Sequence, residues 1–161
     1  MRILGIDPGL ERIGFGVLDK QVSKLTVIEY GLIQTPRISL PERLALIHTQ
    51  VLELLDKHKP DALATERLLF TVNKTTAMDV AKALGVILLA TSERGIEWAE
   101  YSPPEVKQSV VGNGAAEKKQ VQFMVQKLLG LETAPKPDDV ADALAIAITH
   151  AFRALPTKLR A

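Results

Sequence analysis

Four acidic residues stand beside apolar segments, where a carboxylate is unexpected. Asp7 ends an apolar run at the N terminus, and Glu66 ends the short apolar segment DALATE. Asp139 and Asp142 lie three residues apart in DDVADALAIAITHA, so they share one face of a predicted helix. Carboxylates that lie close together repel each other, and their burial is unfavourable unless a cation offsets the charge. Oxygen ligands of this kind suit Mg²⁺ or Mn²⁺, which stabilise the attacking and leaving oxygens in phosphodiester hydrolysis.

Each acid taken alone also has an ordinary structural explanation. Asp7 precedes Pro8-Gly9, and IDPG in isolation favours a turn in which the carboxylate bonds the backbone. Glu66 could be a surface acid at a strand end. Asp139 could stabilise the start of a helix, where acids are favoured. Asp142 lies beyond the first helical residues and beside an apolar stripe, which makes a capping role harder to assign. The joint placement of the acids is therefore the informative feature.

The elements that must position these acids follow from the apolar patterns. Three strands separated by short gaps predict an antiparallel meander, and the strand–helix alternation after them predicts a mixed sheet with helices on its faces. The right-handed crossover rule places strands four and five parallel to strand one, so Asp7 and Glu66 fall at one sheet edge. The predicted strands are Met1–Ile6, Gly14–Leu18, Lys24–Gln34, Asp61–Glu66 and Ile96–Tyr101. The predicted helices are one between a Ser39–Glu42 capping box and Pro60, then Thr75–Arg94, Pro104–Val111, Ala116–Leu129 and Asp138–Ala154.

Composition limits the class of protein. A chain of 161 residues with 47 % hydrophobic and 24 % charged residues suits one globular domain, which we place at residues 1–155 with a loose tail at 156–161. The chain has no cysteine, which excludes disulfides and thiolate metal sites. No signal-peptide pattern is present, and the longest apolar run falls short of the ~20 residues that a membrane span needs. The net charge of +1 gives no overall signal for nucleic acid, so any basic surface must be local.

The opening segment also suits a different class of protein. An acid at the end of strand one, followed by a glycine turn and a glycine-containing second strand, is typical of the phosphate-binding hairpin of actin-like ATPases and sugar kinases. The glycines would let the backbone approach a phosphate. Those proteins usually have two such domains, and this chain has the length of one and no second glycine-rich phosphate loop.

Four sequence blocks together resemble the RuvC family of Holliday-junction resolvases. GIDPG, ATER, VKQSVVGNGAAEK and DDVADALAIAITHA occur in the order and spacing of that family, and the resemblance runs from Ile3 to Phe152. It implies an RNase H-like α/β fold: a five-stranded mixed sheet, antiparallel in strands 1–3 and parallel in strands 4 and 5, with helices on both faces. It implies a Mg²⁺-dependent endonuclease, with Mn²⁺ as a substitute, that cuts four-way junction DNA symmetrically as a homodimer. It also implies RuvA and RuvB as partner proteins and a cytoplasmic location.

The resemblance assigns roles to individual residues. It implies that Asp7, Glu66, Asp139 and Asp142 are the catalytic acids and hold two metal ions, and that Lys107 and Lys118 contact phosphate. Asp138 matches no position of the family's acids. Leu69 stands where the family commonly places an aromatic residue that stacks on a base. The neighbouring Phe70 is therefore either the DNA-stacking residue or a core or interface residue.

Three other functions remain open, as does the dimer surface. A related nuclease with the same acids would not prefer four-way junctions, a nucleotide-binding protein would bind ATP tightly, and an inactive junction-binding module would never cut. The predicted helix Thr75–Arg94 carries apolar residues around much of its circumference, so it is either part of a dimer interface or ordinary core.

Overall fold

The computed structural model describes residues 1–69 and 74–154 and contains one five-stranded sheet. The strand order is β3-β2-β1-β4-β5. β1 pairs antiparallel with β2 and β2 with β3, whereas β4 is parallel to both β1 and β5. This topology confirms the predicted fold class. The strands are β1 (Arg2–Asp7), β2 (Arg12–Lys20), β3 (Leu25–Gln34), β4 (Ala62–Glu66) and β5 (Glu97–Tyr101).

Helices cover both faces of the sheet, as predicted. Side chains alternate across β1, so Ile3 joins the core on one face and Leu4 the core on the other. The core that contains Leu4 is closed by α1 and α2, and the core that contains Ile3 is closed by α3, α4 and α5. The helices are α1 (Leu40–His58), α2 (Lys74–Glu93), α3 (Pro103–Val111), α4 (Lys118–Leu129) and α5 (Asp138–Arg153).

The helix starts are set by local hydrogen bonds that only partly match the prediction. The capping box at Ser39 and Glu42 is present, with the Ser39 N–H donating to the Glu42 carboxylate at 3.1 Å. The predicted start of α4 at Ala116 is wrong, because the Glu117 N–H donates to the side chain of Gln120 and the helix begins after it, at Lys118. β2 extends beyond the predicted Gly14–Leu18 at both ends, since β3 pairs with its whole length.

Three glycines let α5 lie directly on β1 and β2. A Cβ on Gly5 would fall 2.2 Å from the carbonyl oxygen of Ala143, and one on Gly14 would fall 1.9 Å from that of Asp139. A Cβ on Gly16 would fall 2.5 Å from the Leu144 side chain. Real Cβ atoms do not approach this closely, so any larger residue would push the helix away from the sheet. The space beside Gly14 and Gly16 of β2 is therefore filled by α5, which argues against a phosphate-binding hairpin.

Two of the predicted features lie outside the described residues, namely Phe70 and the tail 156–161. Within residues 1–69 and 74–154, no helix is long and apolar enough to cross a membrane.

We expect Gly5→Ala to lower the free energy of unfolding by about 1–3 kcal/mol, because the new methyl group overlaps the backbone of α5. Urea unfolding followed by circular dichroism measures this change. Gly85→Ala is the matched control, since a Cβ there has open space within α2 and should stabilise the protein by about 0.5–1 kcal/mol. Equal stabilities for Gly5→Ala and the unmodified protein would contradict the close contact.

Candidate active site

The site begins at the carboxyl ends of two neighbouring parallel strands. Asp7 is the last residue of β1 and Glu66 the last residue of β4. Ile6 pairs with Thr65, so the two acids follow directly from a paired position. The sheet itself therefore places these two carboxylates side by side, at the edge where open α/β sheets carry their sites.

The first turns of α5 bring the other two acids to the same edge. Asp7 pairs with Gly14 across the β1–β2 ladder, and the Asp139 backbone rests on Gly14. Asp142 follows one turn later, beside a run of fully buried residues from Ala143 to Ile148. The close contact between α5 and the glycines of β1 and β2 therefore places Asp139 and Asp142 near Asp7.

The electrostatics show that the four acids form one group. Burial, followed by the negative charges of Asp142, Glu66 and Asp139, raises the pKa of Asp7 to about 8 against the opposing charge of Lys118. Burial and the charge of Asp142 also raise the pKa of Glu66. Like charges disfavour the ionised form only at short range, so these shifts indicate a cluster of carboxylates and not isolated surface acids.

The Lys118 ammonium group is bound to this cluster. Its Nζ donates to Asp142 Oδ2 at 2.9 Å and lies 3.4 Å from Asp138 Oδ2. Burial raises the pKa of Asp142 even though the Lys118 hydrogen bond opposes it. On Lys118, burial acts to lower the pKa, but the hydrogen bonds and charges of Asp142 and Asp138 together outweigh it and raise the pKa. Asp138 is oriented by Gln122, whose amide donates to its Oδ1 at 2.9 Å.

A pocket of about 210 Å³ opens beside the acids. It brings Glu66 and Asp142 together with both lysines that the sequence singled out, Lys107 from α3 and Lys118 from α4. Apolar residues complete its walls. A pocket lined by both carboxylates and ammonium groups has the charges to hold a phosphate together with a divalent cation.

The residues at this edge have the chemistry of a divalent-cation site. Asp139 Oδ2 is buried and makes no hydrogen bond, and its closest cation is the Arg12 guanidinium at 3.4 Å. An unsatisfied carboxylate oxygen among mutually repelling acids is stabilised by a hard cation. Among residues 1–69 and 74–154, no three His, Cys, Asp or Glu side chains already have the spacing of a metal cage.

Sequence reasoning missed several residues of this site. The close packing of α5 on the sheet depends on Gly5, Gly14 and Gly16. Their alternation along two paired strands was the sequence signal for it. Nothing in the sequence pointed to Arg12, because its contact with Asp139 joins residues that are far apart along the chain.

The region after β4 is only partly described. Leu69 is 53 % exposed, which is unusual for a large apolar side chain. Arg67 donates from Nε to Glu100 at 3.0 Å, so its guanidinium is already paired within the protein. Phe70, the predicted DNA-stacking residue, lies outside the described residues.

An RNase H-like sheet with partly buried acids at the ends of β1 and β4 is typical of one class of protein, the metal-dependent nucleases. The comparisons with known proteins narrow this class. The family model of RuvC, crossover junction endodeoxyribonuclease, matches residues 3–150. The chain belongs to the RuvC family, whose nucleases depend on a metal ion, and its activity is the endonucleolytic resolution of Holliday junctions.

Individual relatives cover nearly the whole chain. The crossover junction endodeoxyribonuclease RuvC of Brevibacillus brevis is 53 % identical over 156 residues, which are 96 % of this chain and 94 % of the relative. Thermus thermophilus RuvC in complex with a Holliday junction substrate is 42 % identical with a TM-score of 0.89, and the match covers 94 % of this chain and 93 % of that one. Another Thermus thermophilus RuvC structure is 41 % identical with a TM-score of 0.87, covering 94 % of each chain.

Because the pKa of Asp7 is raised in the folded protein, we expect the free energy of unfolding of the metal-free protein to depend on pH. The unfolded chain loses the Asp7 proton near the ordinary value of 3.8, whereas the folded protein keeps it until about pH 8. The unfolded state therefore binds fewer protons over this interval, and stability falls as the pH rises through it. Asp7→Asn removes this titration, so we expect the variant to gain roughly 2–4 kcal/mol relative to the unmodified protein between pH 4 and pH 8.

Urea unfolding in EDTA at several pH values measures that difference. Asp79→Asn is the control, because its carboxylate pairs with Lys82 on the surface of α2. Parallel pH profiles for Asp7→Asn and the unmodified protein would show that the Asp7 charge is not buried among the other acids.

Proposed function

We propose that Asp7, Glu66, Asp139 and Asp142 are the catalytic acids of this junction resolvase and hold two Mg²⁺ ions, with Mn²⁺ as a substitute. The observation that carries the proposal is the buried cluster of mutually repelling carboxylates at one sheet edge. Clustered carboxylates destabilise the folded protein when no cation is bound, and divalent cations that bind them remove this repulsion. The four carboxylates would hold the two ions, whose chemistry would be to activate a water and to stabilise the leaving 3′-oxygen of the phosphodiester.

The chain's own residues position the DNA strand for this reaction. Asp7 and Glu66 are held by the sheet, which keeps the distance between them constant, while Asp139 and Asp142 are held by α5, which packs on the glycines of β1 and β2. Lys107 and Lys118 line the same pocket as Glu66 and Asp142, where they would bind phosphates of the DNA strand. Lys118 would have to leave Asp142 to do so, because its ammonium now bonds that carboxylate.

We infer that the enzyme acts as a homodimer, because two symmetric cuts in a four-way junction need two active sites related by a two-fold axis. α2 supports this assignment, since Ala83, Ile87 and Ala90 are buried in the core while Met78 and Leu89 remain more than half exposed on the same helix. RuvA and RuvB as partners, a cytoplasmic location and a nuclease domain spanning residues 1–155 stay predictions from the family resemblance.

We expect Asp7→Asn and Asp142→Asn to abolish cutting of a labelled four-way junction in Mg²⁺ while junction binding is retained or strengthened. The amide has the shape of the carboxylate but neither its charge nor its affinity for a divalent cation. Denaturing gels should show paired symmetric nicks with the unmodified protein, no cuts in linear duplex, and no nicks with either variant.

Two controls make this experiment decisive. Circular dichroism must show that the variants are folded, and ATP binding must be weak, since tight Mg²⁺-dependent ATP binding would favour the nucleotide-binding alternative. Full cutting by folded Asp7→Asn would refute the assignment of the acids. Junction binding by the unmodified protein without any cut in Mg²⁺ or Mn²⁺ would identify an inactive junction-binding module.

We expect substitution of Lys107 or Lys118 to change the salt dependence of junction binding. If each contacts one phosphate, Lys107→Ala and Lys118→Ala should each lower the slope of log K against log salt by about one. Binding titrations at four or more salt concentrations give the slope. Lys119→Ala is the control next to Lys118, and a slope equal to that of the control would remove the residue from the site.

A further inference from the structure

The two acids of α5 are each approached by a cation from a different element. Lys118 at the start of α4 bonds Asp142 at 2.9 Å, and Arg12 at the start of β2 lies 3.4 Å from Asp139 Oδ2. The acid cluster is thus flanked by positive charge on two sides. The family resemblance assigns a function to Lys118 and none to Arg12.

The ion pair between Arg12 and Asp139 is weak. At 3.4 Å the guanidinium and carboxylate attract each other without a hydrogen bond, and Asp139 Oδ2 makes none with any other described group. The Arg12 side chain is 53 % exposed, so solvent screens the attraction. Arg12 therefore balances part of the charge on Asp139 but does not satisfy its buried oxygen.

A divalent cation would replace Arg12 on Asp139. It carries twice the charge of a guanidinium, and carboxylate oxygens coordinate it directly. Once Asp139 is bound to the cation, its oxygen is satisfied and the attraction that holds Arg12 is largely cancelled. The guanidinium then remains at the rim of the site as an exposed cation without its partner.

The position of Arg12 suits it to a DNA phosphate. It is two residues before Gly14, which pairs with Asp7, so it lies at the sheet edge that carries the acids. Lys107 and Lys118 line the pocket on the side of α3 and α4, whereas Arg12 approaches from β2. A guanidinium binds phosphate in a planar, two-pronged geometry that an ammonium group cannot supply.

We propose that Arg12 is a phosphate-binding residue of the active site, held by Asp139 in the absence of divalent cations and released to the DNA strand when a cation binds Asp139. This inference rests on the proposed function, because it requires that the acids bind metal. It adds a third cation, on the β2 side of the acids, to the two lysines on the other side.

The first test measures metal binding without DNA. Mn²⁺ is titrated into the full chain and the free ion is followed by electron paramagnetic resonance. Arg12→Ala should bind Mn²⁺ roughly 2–5-fold more tightly than the unmodified protein, because the competing cation is gone. Lys24→Ala is the matched control: it removes one positive charge from the exposed turn between β2 and β3, at the opposite edge of the sheet, and should leave Mn²⁺ binding unchanged.

The second test measures the salt dependence of junction binding in Ca²⁺ and in EDTA, with a denaturing gel to verify that the junction stays uncut. In Ca²⁺, Arg12→Ala should lower the slope by about one, and in EDTA by clearly less, since Asp139 then retains the guanidinium. Arg12→Lys should restore most of the slope, and Lys24→Ala should match the unmodified protein under both conditions.

The outcomes separate the inference from the proposed function. If the unmodified protein binds Mn²⁺ and Asp7→Asn weakens that binding, but Arg12→Ala behaves like Lys24→Ala, the role of Arg12 is refuted and the metal site stands. An equal loss of slope in Ca²⁺ and EDTA also refutes the exchange. If the unmodified protein binds no divalent cation, the proposed function fails and the inference fails with it.

Discussion

The contact between α5 and the glycines of β1 and β2 is the constraint on which the rest of the site depends. Without Cβ atoms at Gly5, Gly14 and Gly16, the helix backbone rests on the strands, and its first turns reach the edge where β1 ends. Asp139 and Asp142 would otherwise stand a side-chain layer away from Asp7. A packing feature of the core thus sets the spacing of the four acids that we propose to be catalytic.

This close packing makes the site electrostatically unfavourable without a cation. Four carboxylates share one partly buried edge, and the repulsion and burial together hold the pKa of Asp7 near 8. The protein compensates in part with its own cations, since Lys118 bonds Asp142 and Arg12 lies beside Asp139. In the function that we propose, metal ions on the carboxylates would free Lys118 and Arg12 to bind phosphate. Charge balance and DNA binding would then be linked through the same side chains.

The sequence was sufficient to predict the architecture, and it selected four acids that the structure brings to one sheet edge, because both depend on local patterns. Strand four and strand five follow helices of crossover length, which requires them to run parallel to strand one. The helix boundary at Lys118 was missed by two residues, since it depends on a hydrogen bond from the Glu117 N–H to the Gln120 side chain that spacing alone does not reveal. The glycines of the hairpin were interpreted as a possible phosphate site, because a sequence shows where a side chain is missing but not what fills the space.

By itself, then, the sequence determined which residues carry charge beside apolar segments, which segments form strands, and which family the four motif blocks resemble. Only the tertiary structure decided how close the acids come, that Lys118 and Arg12 sit on Asp142 and Asp139, and that Lys107 shares a pocket with Glu66. The physical reason is that periodicity and turn chemistry act over a few residues. Repulsion, burial and ion pairing depend on distances between elements that meet only when α5 packs on the sheet.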